Sequence, residues 1–570
     1  MKNCNGIPAS DGIAIGPVFL YEDEDLTIPQ RTALAPEQEL EHLQKALKKA
    51  ETELKSLQEK AAEETSADEA AIFEAHTLFL HDPTLIDTVE KDIRNNGRIA
   101  EAAWMEGIES NAAMMEALED DYFKARAVDI RDVGQRVLRI LLGKAELDLS
   151  ALNVPSIIVA KDLTPSDTVR MDKSFVLAFC TAEGGPTSHT AILAKALGLP
   201  AVVGSGEGIL KLKNGDMIIV DGSCGEIVLK PDPATIKSYT ERREVEAKKA
   251  QEDLSVAHEP AVTVDGREVE IVANVGNAQD ARTALNFGAE GIGLLRTEFL
   301  YLDRATSPDE EEQLRAYNAV LNVMEHRPVV VRTLDAGGDK DLPYLDLGNE
   351  FNPFLGWRAI RMCLDNPDFF KVQLRALLRS SPGHDVRIMF PMIATLNEVR
   401  KAKALLAEAK EEVLAKGHDI AETIQIGIMV EIPSTAVMAD LFAKEVDFFS
   451  IGTNDLTQYT LAADRTNQKI AHLGDACHPA VLRQVQRVID AGHEAGLWIG
   501  VCGELAGDKD AIPILLGLGL DEFSMAPSSI PRAKSIIRLW TFDAARELAY
   551  AVLNYDSAEA VREHVRNACS

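Results

Sequence analysis

A histidine close to two glycines is the most distinctive chemical feature in the first half of the chain. His189 follows residues 184–188 (GGPTS) and lies in the predicted first turn of a helix that ends at Gly198. Neutral imidazole can attack phosphorus without a separate base. The glycines leave room for a phosphate, and the start of a helix supplies free amide donors. His189 is therefore a candidate carrier of a phosphoryl group, although a lone histidine at this position is more often a helix cap.

Two arginines and two carboxylates in the second half each end a predicted strand. Arg296 (GLLRTEF) and Arg332 (VVVRTLD) provide a pair of guanidinium groups, which suits a phosphate. Glu431 (GIMVEIP) and Asp455 (GTNDLTQ) end later strands. Two carboxylates are the usual protein contribution to a Mg²⁺ site, where water and substrate phosphate supply the other oxygens. These residues predict a magnesium-dependent phosphate site.

Four further polar residues are candidates for the same site: Arg358, Asn454, Arg465 and Cys502, of which Asn454 and Cys502 lie near the ends of predicted strands. Arg358 and Arg465 could add contacts to a phosphate or a carboxylate, although most arginines are surface or salt-bridge residues. A thiol such as that of Cys502 can exchange a proton with a substrate carbon. An inert buried cysteine explains the sequence equally well at this point.

Eight apolar segments alternate with helical patterns after residue 262, and they must position these side chains. The segments are VEIVAN, GIGLLR, VVVRTL, VRIMFP, IGIMVE, DFFSIG, WIGVCG and EFSMA. Eight such repeats predict a (β/α)8 TIM barrel over residues 262–570. The carboxyl ends of all strands of a TIM barrel meet at one face, so the polar residues above are expected to converge there.

The first 261 residues predict a different organisation. Short strands in residues 1–20 and 148–230 predict an α/β domain, interrupted by a helical domain over residues 21–147 and followed by a polar helical linker over residues 231–261. In the helical domain Leu40, Leu43, Leu47, Ala50, Leu54 and Leu57 recur at alternating spacings of three and four. This stripe favours packing within one bundle over an intermolecular coiled coil.

Composition excludes several classes of protein. The formal net charge of −32 disfavours binding to nucleic acids and to anionic membrane surfaces. No apolar run is long enough to span a bilayer, and no signal peptide is recognised at the N-terminus. Seven cysteines lack metal-ligand spacing, which favours free thiols in a reducing compartment and hence a cytoplasmic protein.

An acidic segment of the helical domain is a candidate docking surface for a basic protein. Residues 61–82 contain no Lys or Arg, and apolar residues interrupt their acidic residues. An ordinary solvated helix face would show the same pattern. The candidate docking residues are Glu63, Glu64, Asp68, Glu69, Phe73 and Glu74.

Seven longer motifs together resemble Enzyme I of the bacterial phosphotransferase system. They are GGPTSHTAILAKALGLPAVVG, GLLRTEFLYLDR, RTLDAGGDK, NPFLGWRAIR, GIMVEIP, IGTNDLTQYTLAADR and CGELAGD, in this order along the chain. The resemblance extends from GIPASDGIAIG to the C-terminal end. One departure is Pro186, which stands where many relatives carry an arginine near the histidine.

The resemblance implies a role for most of the candidate residues. It implies that His189 is phosphorylated by phosphoenolpyruvate and that Cys502 protonates the enolate of pyruvate. It assigns Arg296 and Arg332 to the substrate phosphate, and Asn454 and Arg465 to substrate orientation. It also implies Mg²⁺ bound by Glu431 and Asp455, docking of the carrier protein HPr on the helical domain, and a homodimer formed by the barrel.

Three rival functions are compatible with parts of the sequence. Pyruvate-phosphate dikinases and phosphoenolpyruvate synthases share the histidine and barrel motifs, but the region before the histidine has no Gly-rich phosphate loop for ATP. A protein that senses phosphoenolpyruvate without turning it over would not need His189 or Cys502. An enzyme of a regulatory phosphorelay differs from one of sugar uptake only in its partners.

Overall fold

A computed structural model describes residues 2–21, 26–64, 73, 76–116, 121–144, 152, 154–163, 171, 173–185, 188–302, 304, 306–337, 342, 344–345, 350–465, 467, 470 and 473–568. Within these ranges, the side chains of residues 2–3, 59–64, 116, 121–126, 128, 173, 189, 192 and 196 are outside the description. The chain forms two units, residues 1–246 and 247–570.

Short apolar segments from both ends of the first unit form one sheet. Its strands are β1 (Lys2–Asn5), β2 (Ile7–Ser10), β3 (Ile13–Tyr21), β4 (Ser156–Ala160), β5 (Val176–Thr181), β6 (Ala201–Val203), β7 (Met217–Asp221) and β8 (Glu226–Leu229). The order in the sheet is β1-β8-β7-β3-β4-β5-β6-β2. Strand β3 pairs in parallel with β4 and antiparallel with β7, so N-terminal residues complete a sheet whose other strands come much later in the chain.

Between β3 and β4 the described residues form a helical bundle. Its long helices are α1 (Pro36–Glu64), α2 (Pro83–Asn96), α3 (Ala100–Glu116) and α4 (Asp121–Leu141). Five of the six residues of the predicted α1 stripe are buried in the apolar core of this bundle, and Leu47 packs against it. Trp104 lies in the same core, where its Nε1 donates a 2.9 Å hydrogen bond to the carbonyl of Gly134. The stripe therefore packs within the bundle, as predicted.

Two more helices follow in the chain. Helix α5 (His189–Leu197) contributes Ala191, Leu193 and Ala194 to the apolar core that contains Phe179 of the sheet. Helix α6 (Pro233–Ser255) is exposed along most of its length, as its polar composition predicts. The boundary between the two units falls inside α6, after Glu246.

The second unit is a closed parallel barrel. Its strands are β10 (Glu268–Val275), β11 (Ile292–Leu295), β12 (Val329–Arg332), β13 (Val386–Phe390), β14 (Gln425–Val430), β15 (Phe448–Ile451), β16 (Trp498–Val501) and β17 (Glu522–Met525), while β9 (Ala261–Val262) pairs antiparallel with β10. Strand β10 pairs in parallel with both β11 and β17, which closes the barrel. Each strand matches one predicted segment, so the predicted TIM barrel is confirmed.

Helices surround this barrel. They are α7 (Ala278–Asn286), α8 (Glu310–Met324), α9 (Ile360–Asp365), α10 (Pro367–Ser380), α11 (Leu396–Ala415), α12 (Pro433–Val437), α13 (Ala439–Phe442), α14 (Thr453–Leu461), α15 (Pro479–Glu494), α16 (Ile512–Leu518), α17 (Ile530–Ile537), α18 (Phe542–Val552) and α19 (Ala558–Ala568). None of the helices in the described ranges is both long and apolar enough to cross a bilayer.

The barrel interior explains which side chains reach the carboxyl ends of the strands. One buried cluster collects side chains from β11 to β15 and the residue after β16: Leu294, Val330, Met389, Met429, Phe448 and Cys502. Side chains alternate between the two faces of a strand, so residues two positions further along share this inward face. Arg296, Arg332 and Glu431 occupy those positions after Leu294, Val330 and Met429. The fold therefore directs them to one end of the barrel.

Candidate active site

Two buried arginines at the carboxyl ends of the strands share one aspartate. The Nη1 atom of Arg332 lies 3.0 Å from Oδ2 of Asp335, and Nη2 of Arg358 donates a 2.8 Å hydrogen bond to Oδ1 of the same carboxylate. Arg332 also donates a 2.9 Å hydrogen bond to Glu298. Burial disfavours the charged form of Arg332, but the neighbouring carboxylates outweigh it and raise its pKa. The pKa of Arg358 is raised in the same way, so both arginines are buried and stay cationic.

Asp455 extends this network to a third arginine. It lies in the first turn of α14, where Oδ1 accepts a 3.4 Å hydrogen bond from Nη1 of Arg358. Its other oxygen, Oδ2, lies 3.6 Å from Nη1 of Arg465. The same Nη1 of Arg358 is 3.4 Å from the hydroxyl of Tyr459, one turn further along α14. Three predicted site residues, Arg358, Asp455 and Arg465, are thus brought together by the fold.

Glu431 follows β14 and has one oxygen without a partner. Its Oε1 accepts a 2.5 Å hydrogen bond from the amide of Met392, whose φ of 54° is unusual for a residue other than glycine. Its Oε2 is buried and has no hydrogen-bond partner among the described residues. Burial, together with the charges of Asp455 and Asp335, raises the pKa of Glu431 to about 8. A buried, unpaired carboxylate oxygen of this kind needs a proton or a cation.

Gly452 provides space beside Glu431. A Cβ atom at residue 452 would lie 3.0 Å from Oε2 of Glu431, so any larger residue would press on the carboxylate. Among the described residues, no group of three or more His, Cys, Asp or Glu side chains is placed to hold a metal ion. Mg²⁺ commonly takes one or two protein carboxylates and completes its shell with water and phosphate. The residues present therefore fit a Mg²⁺ ion whose ligands would come partly from the protein and partly from the substrate.

Cys502 follows β16 and has a thiol that stays protonated. Burial raises its pKa to about 11, although the neighbouring Arg332 partly opposes the shift. Its Sγ lies 3.7 Å from the carbonyl of Ile451 as a hydrogen-bond donor. Asn274 on β10 donates a 2.9 Å hydrogen bond to the carbonyl of Cys502 and fixes its backbone. A protonated thiol held at this place has the chemistry of an acid.

Asn454 and Arg296 differ in how the protein engages them. Oδ1 of Asn454 accepts a 3.0 Å hydrogen bond from the amide of Glu504, which ties α14 to the segment after Cys502. Arg296 ends β11 with an exposed side chain. Its guanidinium makes no ion pair or side-chain hydrogen bond with the described part of the chain. Arg296 therefore keeps its donors available for a ligand.

His189 is the first residue of α5 and therefore lies in the first turn of this helix, as predicted. Ser188 caps this helix, and its Oγ accepts a 3.4 Å hydrogen bond from the amide of Ala191. Gly184 has a φ of 95°, a conformation that favours glycine. For His189 itself the structure describes the backbone alone. Its position at a helix N-terminus, beside a glycine turn, agrees with the prediction, whereas Pro186 and Thr187 lie outside the described residues.

The candidate docking residues fall mostly outside the description. This applies to Asp68, Glu69 and Glu74 and to the side chains of Glu63 and Glu64. Phe73 is the exception, and the prediction for it is wrong. Its side chain is fully buried in the core of the helical bundle and contacts the ring of His76 edge-on, so it offers no surface to a partner. Its apolar character serves packing rather than docking.

Sequence reasoning missed three residues of the site. Glu298 and Asp335 pair with the buried arginines, and Tyr459 contacts one of them. All three lie in segments quoted for their resemblance to Enzyme I, and Asp335 follows Arg332 by three positions. The signal that could have found them is physical: an arginine buried in a barrel needs a buried counter-charge close to it.

Comparison with known proteins agrees with this architecture. Three family models match the chain: "PEP-utilising enzyme, N-terminal" over residues 5–126, "PEP-utilising enzyme, mobile domain" over residues 152–225 and "PEP-utilising enzyme, PEP-binding domain" over residues 249–541. A phosphoenolpyruvate-protein phosphotransferase from Geobacillus stearothermophilus is 49% identical over 570 residues, which cover 100% of this chain and 98% of the relative. The chain belongs to the phosphoenolpyruvate-protein phosphotransferase family.

Two further members of the phosphoenolpyruvate-protein phosphotransferase family show the same full-length similarity. The protein from Staphylococcus carnosus is 47% identical, with 100% of each chain covered, and that from Bacillus subtilis is 46% identical, with 99% of each covered. Family membership confirms the resemblance found in the sequence and makes the chain a phosphotransferase. It also confirms the multidomain α/β fold class, because the three family models match in the expected order along the chain.

Proposed function

We propose that this chain transfers the phosphoryl group of phosphoenolpyruvate to its own His189, releases pyruvate, and passes the group to the histidine of an HPr-type carrier as the first step of sugar uptake. The observation that supports this most is the pairing of cationic and anionic groups at one end of the barrel. Arg332, Arg358 and Arg465 are joined there through Asp335 and Asp455, beside the protonated thiol of Cys502. A phosphate, a carboxylate and a carbon that needs a proton are the three parts of phosphoenolpyruvate that such groups would serve.

Arginines would bind and orient the substrate. Arg332 reaches the interior of the barrel mouth from β12, and the exposed Arg296 lies at the end of the neighbouring strand. Two guanidinium groups from adjacent strands can hold one phosphate in a fixed orientation. Arg465 and Asn454 would contact the carboxylate of the substrate. Orientation of this kind accounts for a large part of a phosphoryl transfer, because the reacting atoms must be in line.

Magnesium fits the unpaired carboxylate oxygen. Glu431 and Asp455 would hold the ion, which when bound would neutralise charge on the phosphoryl oxygens. The fit rests on the buried Oε2 of Glu431, which lacks a hydrogen-bond partner among the described residues. Asp455 would then share its charge between the ion and its arginine partners.

The reaction can be written with this chain's own groups. A ring nitrogen of His189 would attack phosphorus, forming the P–N bond while the P–O bond to the enol breaks. The electron pair of that bond leaves with enolpyruvate, and its methylene carbon takes the proton of the Cys502 thiol. Burial, which raises the pKa of this thiol to about 11, keeps the proton in place until the enolate forms. Solvent would then return a proton to the thiolate.

Partners and assembly belong to the same proposal. The carrier would dock on the helical bundle, where Glu63, Glu64, Asp68, Glu69 and Glu74 supply negative charge by sequence. A homodimer would form through the barrel, which exposes Val437, Met438 and Leu441 on its surface. The six described cysteines are free thiols, which supports a cytoplasmic location.

The proposed domain limits are residues 1–20 with 148–230 for the α/β domain and 21–147 for the helical domain. The linker would span residues 231–261 and the barrel residues 262–570.

The test is incubation of the purified protein with labelled phosphoenolpyruvate, Mg²⁺ and HPr, with mapping of the labelled residues and measurement of pyruvate. We expect label on His189 and on HPr and stoichiometric pyruvate. His189→Ala should abolish labelling, whereas His326→Ala, at an exposed histidine of the barrel unit, should leave it unchanged. Binding of phosphoenolpyruvate without pyruvate release would instead identify a sensor, and label retained in His189→Ala would exclude His189 as carrier.

A further inference from the structure

The C-terminal helix α19 presents a cluster of charges to two loops of the barrel unit. Val561 and Val565 are buried and fix the helix against the unit. Arg562 and Arg566, which directly follow these two valines, contact aspartates from distant parts of the chain. No residue of this helix belongs to the site described above, so its charges need an explanation of their own.

Arg562 is bound by carboxylates on all sides of its guanidinium. Its Nε lies 2.7 Å from Oδ2 of Asp475, and its Nη2 donates a 2.8 Å hydrogen bond to Oδ1 of the same residue. Its Nη1 lies 2.7 Å from Oδ2 of Asp508 and 3.5 Å from Oδ2 of Asp510. The side chain of Arg562 is only 23% exposed, so these pairs are screened less than surface pairs. A bidentate contact to one carboxylate together with contacts to two others is a geometry that lysine cannot reproduce.

Asp475 lies in the loop that carries Arg465, and Asp508 lies in the loop that carries Cys502. Asp475 lies ten residues after Arg465, and Asp508 lies six residues after Cys502. Each aspartate also shapes its own loop. Oδ1 of Asp475 accepts the amide of Cys477 at 2.9 Å, and Oδ1 of Asp508 accepts the amide of Asp510 at 2.8 Å. One guanidinium therefore connects the loop that follows α14 with the loop that follows β16.

We propose that Arg562 is a positioning residue that holds the loop of Arg465 and the loop of Cys502 in a fixed relation to each other. It does not touch the substrate. It acts through Asp475 on the group that would orient phosphoenolpyruvate, and through Asp508 on the segment that follows the proton donor. The catalytic part of this inference rests on the proposed function, whereas the mechanical part, the connection of two loops, does not.

Hydrogen exchange measures the mechanical part directly. In Arg562→Ala, three carboxylates would face one another without their main counter-charge, and the loops should separate. We expect amide exchange to become at least tenfold faster in residues 473–478 and 503–511 and to stay unchanged in the strands of the barrel. Arg566→Ala is the matched control, because this residue lies one turn further along the same helix, is 63% exposed and contacts Asp510. It should change exchange in both loops less than twofold.

Kinetics measure the catalytic part. Arg562→Ala should raise the KM for phosphoenolpyruvate and lower kcat for pyruvate formation, with kcat/KM at least tenfold lower, while the melting temperature falls only slightly. Arg562→Lys should restore the melting temperature but only part of kcat/KM. Unchanged exchange in both loops, or equal effects of Arg562→Ala and Arg566→Ala, would overturn the proposal. Wild-type protein that releases no pyruvate would refute the proposed function alone, because the exchange result would still decide whether Arg562 connects the loops.

Discussion

Replacing Glu522 with glutamine should stabilise the barrel above neutral pH. Glu522 is the first residue of β17 and is 2% exposed, and neither carboxylate oxygen has a hydrogen-bond partner among the described residues. Strand register places Glu270 of β10 directly beside it. Burial, together with the charge of Glu270, raises the pKa of Glu522 from 4.5 to about 8. The folded protein therefore holds a proton that the unfolded chain releases.

The sign and size of the effect follow from this difference in proton affinity. Because the folded state binds the proton more tightly, stability is lost as the pH rises from 4.5 towards 8 and then stays constant with respect to this group. One pKa unit corresponds to about 1.4 kcal/mol, so the loss is roughly 3 kcal/mol at pH 7 and roughly 5 kcal/mol above pH 8. Glutamine cannot ionise, and its shape is close to that of the protonated acid. Glu522→Gln should therefore match the wild type near pH 5 and exceed it by several kcal/mol at pH 8.5.

Calorimetry of the barrel transition between pH 5 and pH 9 is the appropriate assay. The difference between the free energies of unfolding of variant and wild type should grow over this range. Glu268→Gln is the matched control, since this glutamate is exposed at the start of β10. It should change the unfolding free energy by less than about 0.5 kcal/mol at every pH. Parallel curves for Glu522→Gln and the wild type would refute the reasoning, because they would mean that Glu522 titrates alike in both states.

Three shorter predictions concern the candidate active site. Asp335→Asn should raise the KM for phosphoenolpyruvate at least tenfold, because it removes the shared partner of Arg332 and Arg358, and steady-state kinetics with an unchanged KM would contradict this. Cys502→Ala should slow pyruvate formation at least a hundredfold but spare phosphoryl exchange between the phosphorylated protein and HPr; equal loss of both would indicate a structural cysteine. Removal of Mg²⁺ with EDTA should abolish labelling by phosphoenolpyruvate, and addition of Mg²⁺ should restore it; labelling that persists in EDTA would exclude the ion.

The fold could be predicted from the sequence because its signals are periodic. Every barrel strand contains an apolar run, and the stripe from Leu40 to Leu57 follows the helical period, so both are visible without knowledge of contacts. Phe73 shows where this reasoning fails. An apolar residue among acidic ones looks the same in a docking surface and in a core, and only the packing of the bundle places it at 0% exposure.

Only part of the site was predictable, because the carboxylates that pair with its arginines leave no periodic signal in the sequence. Arg296, Arg332 and Glu431 could be selected because each follows an apolar strand, where a polar side chain is conspicuous. Asp335 and Glu298 follow the strand ends at irregular loop positions, so no period reveals them. Their role appears only when the distance to a guanidinium is known.

In the proposed function, Glu298 and Asp335 would also determine how the substrate binds. A buried arginine is stable only when a counter-charge stays with it, so Arg332 and Arg358 must remain paired when the site is empty of substrate. If the proposed function holds, an incoming phosphate would therefore meet guanidinium groups whose planes are already fixed by Glu298 and Asp335, and it would need to satisfy only the remaining donors. The Nε atoms of both arginines are buried without a partner among the described residues, so the carboxylates leave these donors unsatisfied. Fixing the cations with carboxylates weakens their attraction for phosphate, but it removes the cost of ordering them during binding.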